Sequence, residues 1–388
     1  MRILVLSLFP SEEPRHGGQI RLNNIIKKYK SLGHEVASAG VLGSESYPRS
    51  PYFIEYPKVE LRDEIPAMTD FAIGELLVND QALSSKLINL FPWVPDVIHV
   101  ELPWLFKFAE KYVSLQRKRI PIIYGSENVE CILKEAILSS VYNNSYAREK
   151  VSLVRDVEIN ACKNADSCLA VSTHDLEWMK EKANKSIYLA PNGVSPFEVT
   201  KKGEAEFQKL SLPNKFVLFC ASAHLPNILG LYEMFKPALA CIDPSQKLVI
   251  VGGCGGLINS DPRFREIPLF DKRTLLLGEV SEDLKCSLLA KAHCIILPIT
   301  SGGGTNLKTA EAILSGCYVV GTKIAFRGFE QFINSSGVEV VDDGVAFRNA
   351  VRTSLMKSKN DIKSEYEKKE ILLWNNCLKS LEVCLNNL

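Results

Sequence analysis

The chain has 388 residues, enough for two domains of ordinary size, each with its own core. Hydrophobic residues make up 46% and charged residues 23%, and 46 Lys plus Arg against 45 Asp plus Glu leave a net charge of +1. This balance fits a globular chain and excludes the strong basic excess of a bulk nucleic-acid binder. No apolar run approaches the roughly 18 residues of a transmembrane helix.

The first segment, Arg2 to Leu8, is a short apolar run. It is similar to a miniature signal h-region, but Phe9-Pro10-Ser11-Glu12-Glu13 follows without a small-residue cleavage site, so it reads as a first strand. After Gly17-Gly18, the spacing of Ile20, Leu22, Ile25, Ile26, Tyr29 and Leu32 predicts a helix that Gly33 ends. His34 to Ala39 begins a second strand. The resulting βαβ unit implies a parallel sheet with right-handed crossovers. Its first turn lacks the G-x-G-x-x-G fingerprint of dinucleotide-binding dehydrogenases, and so does Val251-Gly252-Gly253-Cys254-Gly255-Gly256.

Residues 45–95 are proline-rich and show no usable period. Strands return at Asp96 to Glu101 and Ile120 to Tyr124. Between them lie Trp104, Phe106, Phe108 and Tyr112 with Lys107, Lys111, Arg117, Lys118 and Arg119. This segment reads either as a crossover helix with a solvated basic end or as a surface that docks on an anionic membrane. A helix is expected over about 145 to 165, a strand at Ser167 to Val171, and a turn at Pro191-Asn192-Gly193-Val194. Glu198 to Leu210 reads as a polar linker, with the domain boundary there. A second βα series has strands at Lys215 to Cys220, Leu248 to Val251, Thr274 to Leu277, Cys294 to Leu297 and Tyr318 to Val320. Asn360 to Leu388 reads as a charged helical tract with Trp374, Leu378, Leu381 and Val383 available for packing.

Eleven cysteines without a C-x-x-C pair read as neither a disulfide framework nor a zinc site. Several (Cys168, Cys220, Cys294) sit in apolar runs, where a thiol packs as a small hydrophobe. This usage predicts a cytoplasmic protein. The six histidines are scattered and no D-x-D motif stands in a loop context, so no obligatory metal or cofactor is expected.

The densest chemical signal runs from Leu297 to Ala312: a buried strand, the loop Ser301-Gly302-Gly303-Gly304, then Thr305 or Asn306 as a helix cap. The start of such a helix carries about half a positive charge and suits a phosphate. Lys308 and Glu311 lie one turn apart on that helix.

Taken in order, these pieces are familiar. Gly17-Gly18 with Gly33-His34-Glu35-Val36, Asp96-Val97-Ile98-His99, Asn128-Val129-Glu130, Pro191-Asn192-Gly193-Val194, Gly252-Gly253, Leu277-Gly278-Glu279-Val280 and the glycine loop through Gly316 resemble a retaining glycosyltransferase of family 4. The resemblance implies an α/β GT-B fold: two facing Rossmann-like domains with parallel sheets and a C-terminal helical tract. Its domains would be 1–197 on the acceptor side, 198–362 holding a nucleotide-diphosphate sugar, and 363–388 packing back on the first.

On this resemblance Glu311 contacts the ribose hydroxyls, Lys308 reaches the phosphates, and Gly303, Gly304, Thr305 and Asn306 present amides to the diphosphate or sugar. Gly17 and Gly18 approach the phosphates from across the cleft, and Glu279 and Val280 lie where the base is read. His224, in a loop at the carboxyl end of a strand, joins the donor site. Lys308, Glu311 and Glu101 are the expected catalytic residues. The family's E-x7-E motif has Gly303 in place of its first Glu, and Glu101 and Glu127 stand where related sequences often have His. His99 reads either as a structural or as a site residue. Glu101 and Glu127 read either as a base and a positioning group or as strand-end carboxylates paired with the basic 117–119 run. The implied partners are a nucleotide-sugar donor and a glycan or lipid-linked acceptor, with peripheral contact at the inner membrane face. The alternatives are a non-catalytic GT-B binding partner and a sugar-nucleotide epimerase on the same fold.

Overall fold

Ile3, Leu4, Val5 and Leu6 are fully buried, which is what a continuous apolar run requires when both faces of its sheet are covered. They form β1 (Arg2–Ser7), an interior strand of the first sheet. The structure, a computed structural model, describes residues 1–388 except 63, 302–304 and 363–368 and the side chain of Ser140. Chain contacts divide it into two units, Met1–Asn192 with Cys377–Leu388, and Gly193–Asn376.

The first unit holds β1, β2 (Glu35–Val41), β3 (Phe53–Ile54), β4 (Val97–Glu101), β5 (Ile122–Gly125), β6 (Ser167–Ala170) and β7 (Ile187–Leu189). They form one sheet in the order β3-β2-β1-β4-β5-β6-β7. Every pairing is parallel, with Leu4 in register with Ala37 on one side and Ile98 on the other. The chain leaves β1 in one direction and returns in the other at β4. The carboxyl ends of these two strands therefore flank a switch point, where open α/β sheets leave a crevice for ligands.

The second unit repeats the plan with β8 (Phe216–Cys220), β9 (Lys247–Val251), β10 (Thr274–Gly278), β11 (Cys294–Leu297), β12 (Tyr318–Gly321) and β13 (Val338–Val340). Their order is β10-β9-β8-β11-β12-β13, again all parallel, and the switch lies between β8 and β11. Its core has two layers, one on each face of the sheet, built around Phe219, Ile250, Ile296 and Phe347 and around Leu218, Val249, Ile295 and Phe326. This is the expected α/β architecture of two Rossmann-like parallel sheets.

Helices cover the sheets. In the first unit they are α1 (Gly17–Ser31), α2 (Thr69–Asn79), α3 (Gln81–Asn89), α4 (Phe106–Ser114), α5 (Glu130–Val141), α6 (Asn144–Asn164) and α7 (Thr173–Lys180). In the second they are α8 (Lys201–Lys209), α9 (Leu225–Phe235), α10 (Cys254–Ser260), α11 (Pro262–Arg265), α12 (Phe270–Arg273), α13 (Glu282–Lys291), α14 (Leu307–Ser315) and α15 (Gly344–Met356).

Two expectations need correction, and one open alternative is decided for a crossover helix. The stretch read as a linker forms α8. Thr200 caps it by accepting from the Gly203 amide at 3.0 Å, and it packs on α13 so closely that a Cβ on Gly203 would lie 2.2 Å from the Asp283 carbonyl oxygen. Trp104, Phe106, Phe108 and Tyr112 are all in the core and offer nothing to a membrane surface. The bases around them are engaged instead: Lys107 with Glu75 at 2.8 Å, Lys118 with Asp96 at 2.8 Å, and Arg119 with Asp166. The C-terminal tract is broken into short turns, Trp374–Cys377 and Ser380–Asn386. Trp374, Leu378 and Leu381 are buried there, while Val383 is exposed. Ser380 Oγ donates to the Leu189 carbonyl at 2.7 Å, tying the last turn to β7.

Candidate active site

In the second unit, the glycine loop follows β11 at the switch point. Gly302, Gly303 and Gly304 lie outside the described residues. Beyond them Asn306 is the N-cap residue of α14, with extended backbone and no side-chain cap, so the first-turn amides are not satisfied from that side chain. At the other end Gly316 closes the helix at φ 73°, the left-handed position glycine favours.

Lys308 and Glu311 project from this helix in different company. Lys308 Nζ donates to Asn227 Oδ1 at 2.6 Å, and Asn227, itself buried, donates through Nδ2 to the Ser222 carbonyl at 3.0 Å. Among the described residues Lys308 has no carboxylate partner. Burial therefore lowers its amine to about 8. An ammonium held in a partly buried place without a counter-charge invites an anion.

Glu311 accepts from Lys285 Nζ at 2.9 Å, and Lys285 also pairs with Glu282 at 3.0 Å. Burial works against the Lys285 charge, but Glu311 first and Glu282 second outweigh it and raise its pKa. His224 is the N-cap residue of α9 and stands exposed beside this cluster. Partial desolvation, then the Lys308 charge, lower its pKa. Glu279 is exposed after β10, and Val280 packs against the core; neither bonds to Lys308 or Glu311. The backbone here is held by Gly252, at φ 100°, whose amide donates to the Gly278 carbonyl at 2.6 Å. A Cβ on Gly252 would meet the Ala221 carbonyl oxygen at 2.3 Å.

In the first unit, the switch point is built on buried charge. Glu101, at the end of β4, is 2% exposed and takes Arg21 Nε at 2.7 Å on one oxygen and His99 Nε2 at 2.7 Å on the other. With its proton on Nε2, His99 donates to Glu101 and accepts from Tyr29 Oη at 2.8 Å through Nδ1. Arg21 Nη1 donates to the Ala190 carbonyl at 2.8 Å and to Asn192 Oδ1 at 3.2 Å. Burial opposes the Glu101 charge, but Arg21 and His99 outweigh it and hold the carboxyl at about 2. The residue after this strand, Leu102, adopts φ 66°, a strained backbone of the kind that collects at functional sites.

This geometry revises the catalytic assignment of Glu101. A carboxylate with both oxygens engaged and its pKa depressed is an anchor, and a poor proton carrier. Nor do Glu101 and Glu127 pair with the 117–119 run. Glu127 is the less committed group: its Oε1 is shielded from solvent with no hydrogen-bond partner. Burial first, and then the neighbouring Glu101, push its pKa up to about 8. Gly18 makes room for it, since a Cβ there would lie 2.8 Å from Glu127 Oε2. Gly17 opens α1 beside it.

Sequence reasoning missed three residues. Arg21 occupies the buried stripe of α1 with Ile25 and Tyr29, a spacing of four that the pattern already contained. Asn227 and Lys285 carry no local motif, and only the packing of α9 and α13 against α14 brings them to the site.

With this geometry in view, the known proteins are informative. Residues 214–357, a span that holds His224, Asn227, Lys285, Lys308 and Glu311, match the family model described as Glycosyl transferases group 1. The chain superposes on a sucrose-phosphate synthase from Thermosynechococcus elongatus with a TM-score of 0.72 at 15% identity, over 99% of this chain and 98% of that one. The superposition shows the two-domain α/β GT-B fold. A second GT-B superposition, on the Anabaena protein HepE in complex with UDP and glucose, has a TM-score of 0.65 at 16% identity and covers 100% of both chains. An uncharacterised 44.6 kDa protein in a cps region of Klebsiella pneumoniae is 24% identical over 245 residues, or 56% of this chain. The chain spans 60% of the length of that curated relative. No helix among the described residues is long and apolar enough to cross a membrane.

Proposed function

We propose that the protein is a retaining glycosyltransferase of family 4 that moves a hexosyl group from a nucleotide-diphosphate sugar to an acceptor hydroxyl, in glycan or cell-surface polysaccharide biosynthesis. The carrying observation is Lys308, a partly buried ammonium without a carboxylate partner among the described residues, one turn from Glu311 on the helix that follows the glycine loop. The bond between the anomeric carbon and the diphosphate oxygen breaks, a bond to the acceptor oxygen forms, and the acceptor proton passes to the departing diphosphate, which leaves as the nucleoside diphosphate. Lys308 and the amides at the start of α14 offset the charge that develops on the departing diphosphate. Glu311 holds the ribose hydroxyls. Gly303 offers no carboxylate to the donor sugar, so backbone amides of the loop take a larger share of that contact. Glu101 and Arg21 keep the first unit's strand ends in place, and Glu127 is the group there with an uncommitted oxygen. The pathway rests on the cps-region relative, and nucleotide-sugar use on the UDP and glucose held by HepE.

Glu311→Ala tests the reading. Donor turnover should be lost in this variant while its melting curve stays close to that of the parent. Unchanged turnover would remove Glu311 from the site. The missing carboxylate at position 303 favours a second reading, a GT-B chain that binds a nucleotide sugar without transferring it. Binding without release of nucleoside diphosphate, in the presence of any glycan acceptor tried, is its signature.

A further inference from the structure

Lys285 and Glu311 come from different helices, α13 and α14, and meet at 2.9 Å with each side chain about one-quarter exposed (26% and 24%). The other partner of Lys285, Glu282, is 75% exposed, so that contact is largely screened by water and holds the ammonium only weakly. Lys285 is therefore fixed mainly by Glu311, and Glu311 by Lys285. The pair uses one carboxylate oxygen, Oε1; among the described residues Oε2 has no hydrogen-bond partner. An ammonium has three N–H donors, and the two ion pairs use two of them.

Each hydroxyl of a ribose diol both donates and accepts one or more hydrogen bonds. A lone carboxylate satisfies only the donating half. A carboxylate and an ammonium side by side satisfy both, one accepting the O–H and the other donating to a hydroxyl oxygen. We infer that Lys285 and Glu311 act as one unit that reads the ribose diol of a nucleoside diphosphate. Lys285 positions the Glu311 carboxylate and sets the preference for ribose over 2′-deoxyribose. This inference rests on the reading of Glu311 as the ribose contact.

A site built to hydrogen-bond a hydroxyl discriminates strongly against a ligand without it, because its own polar groups are then left unpaired. The test measures the affinity of the full-length protein for UDP, GDP and ADP by calorimetry, then takes the tightest binder and its 2′-deoxy counterpart. The parent should prefer the ribose form by about tenfold or more, the ratio expected for one hydrogen bond to a charged group. In Lys285→Met that preference should collapse to about twofold, with Lys285→Arg retaining most of it because a guanidinium keeps both the charge and a spare donor. Thermal melts of both variants confirm folding.

The controls separate the two levels of the account. If Glu311→Ala abolishes the preference and Lys285→Met leaves it intact, the Lys285 inference is wrong and the site reading stands. If Glu311→Ala also leaves it intact, or none of the three nucleotides binds, the site reading itself is overturned and the inference falls with it.

Discussion

Arg21 and Glu101 form a fully buried ion pair, Nε to Oε1 at 2.7 Å, with side chains 1% and 0% exposed. The two residues are eighty positions apart and join the first turns of α1 to the end of β4. Removing the guanidinium would leave an uncompensated carboxylate in the core. Arg21→Met should therefore destabilise the protein by about 3–5 kcal/mol, as other broken buried pairs do. Urea unfolding of the parent and the variant provides the comparison, and a loss below about 1 kcal/mol would contradict the anchoring role.

The same pair sets an acid limb. Glu101 is held at about 2, below its unfolded value near 4.3. Its contribution is thus fully present above the unfolded pKa and is lost as pH falls from about 4.5 toward 2. Glu101→Gln should flatten that part of a stability profile measured between pH 5 and 3.

Glu127 predicts the opposite slope on the alkaline side. Burial and then Glu101 raise it to about 8, so the folded protein binds a proton that the unfolded chain releases near pH 4.3. Stability must fall as pH rises between those values. Glu130 and Glu158 are raised to about 8 and about 7, both mainly by burial, and add to the same slope. Glu127→Gln should therefore reduce the loss of melting temperature between pH 5 and 8 without abolishing it. A slope identical to that of the parent would mean that Glu127 is ionised in the folded protein.

Lys308 ties ligand affinity to pH. Its amine, lowered by burial to about 8, is charged below that value and neutral above it. A bound diphosphate supplies the missing counter-charge and draws a proton back on. Nucleoside-diphosphate affinity should thus be flat below pH 8 and fall about tenfold per unit well above it. Calorimetry in buffers of different ionisation enthalpy should show proton uptake at pH 8.5, and Lys308→Met should lose both the uptake and much of the affinity.

Most of the sheet framework was legible in the sequence because apolar β-branched runs and helical spacing are local signals. β1, β4, β8, β9 and β11 lie where the pattern put them. What stayed hidden depends on packing. The helix at Lys201–Lys209 looked like a linker because its charged face dominates the composition, and its contacts with α13, Gly203 against a carbonyl and Glu204 paired with Lys291, join residues far apart in sequence. The aromatics from Trp104 to Tyr112 could be read either as a crossover helix or as a surface because neighbouring bases interrupt them, and the structure gives the helix, with those bases held by acids from elsewhere in the chain. Lys308 and Glu311 were visible through the glycine loop. Their holders, Asn227 and Lys285, come from helices far away in sequence and carry no motif.

Close packing of the missed helix gives one more check. Gly203→Ala would force a Cβ to within 2.2 Å of a backbone oxygen. The helices must separate, and a loss of about 1–3 kcal/mol is expected, as for other overpacked contacts. A neutral substitution would show that α8 is not seated against α13 in solution.

The central claim is that the helix following the glycine loop holds a nucleotide-sugar donor for transfer. The most direct test incubates the purified protein and its Glu311→Ala variant with UDP-, GDP-, ADP- and TDP-sugars and glycan acceptors, and follows both nucleotide release and the anomeric configuration of the product by NMR. The account predicts that one of these donors is turned over with retention by the parent and at least about tenfold more slowly by the variant. Failure of all four donors to bind, or equal turnover by the two proteins, would contradict it.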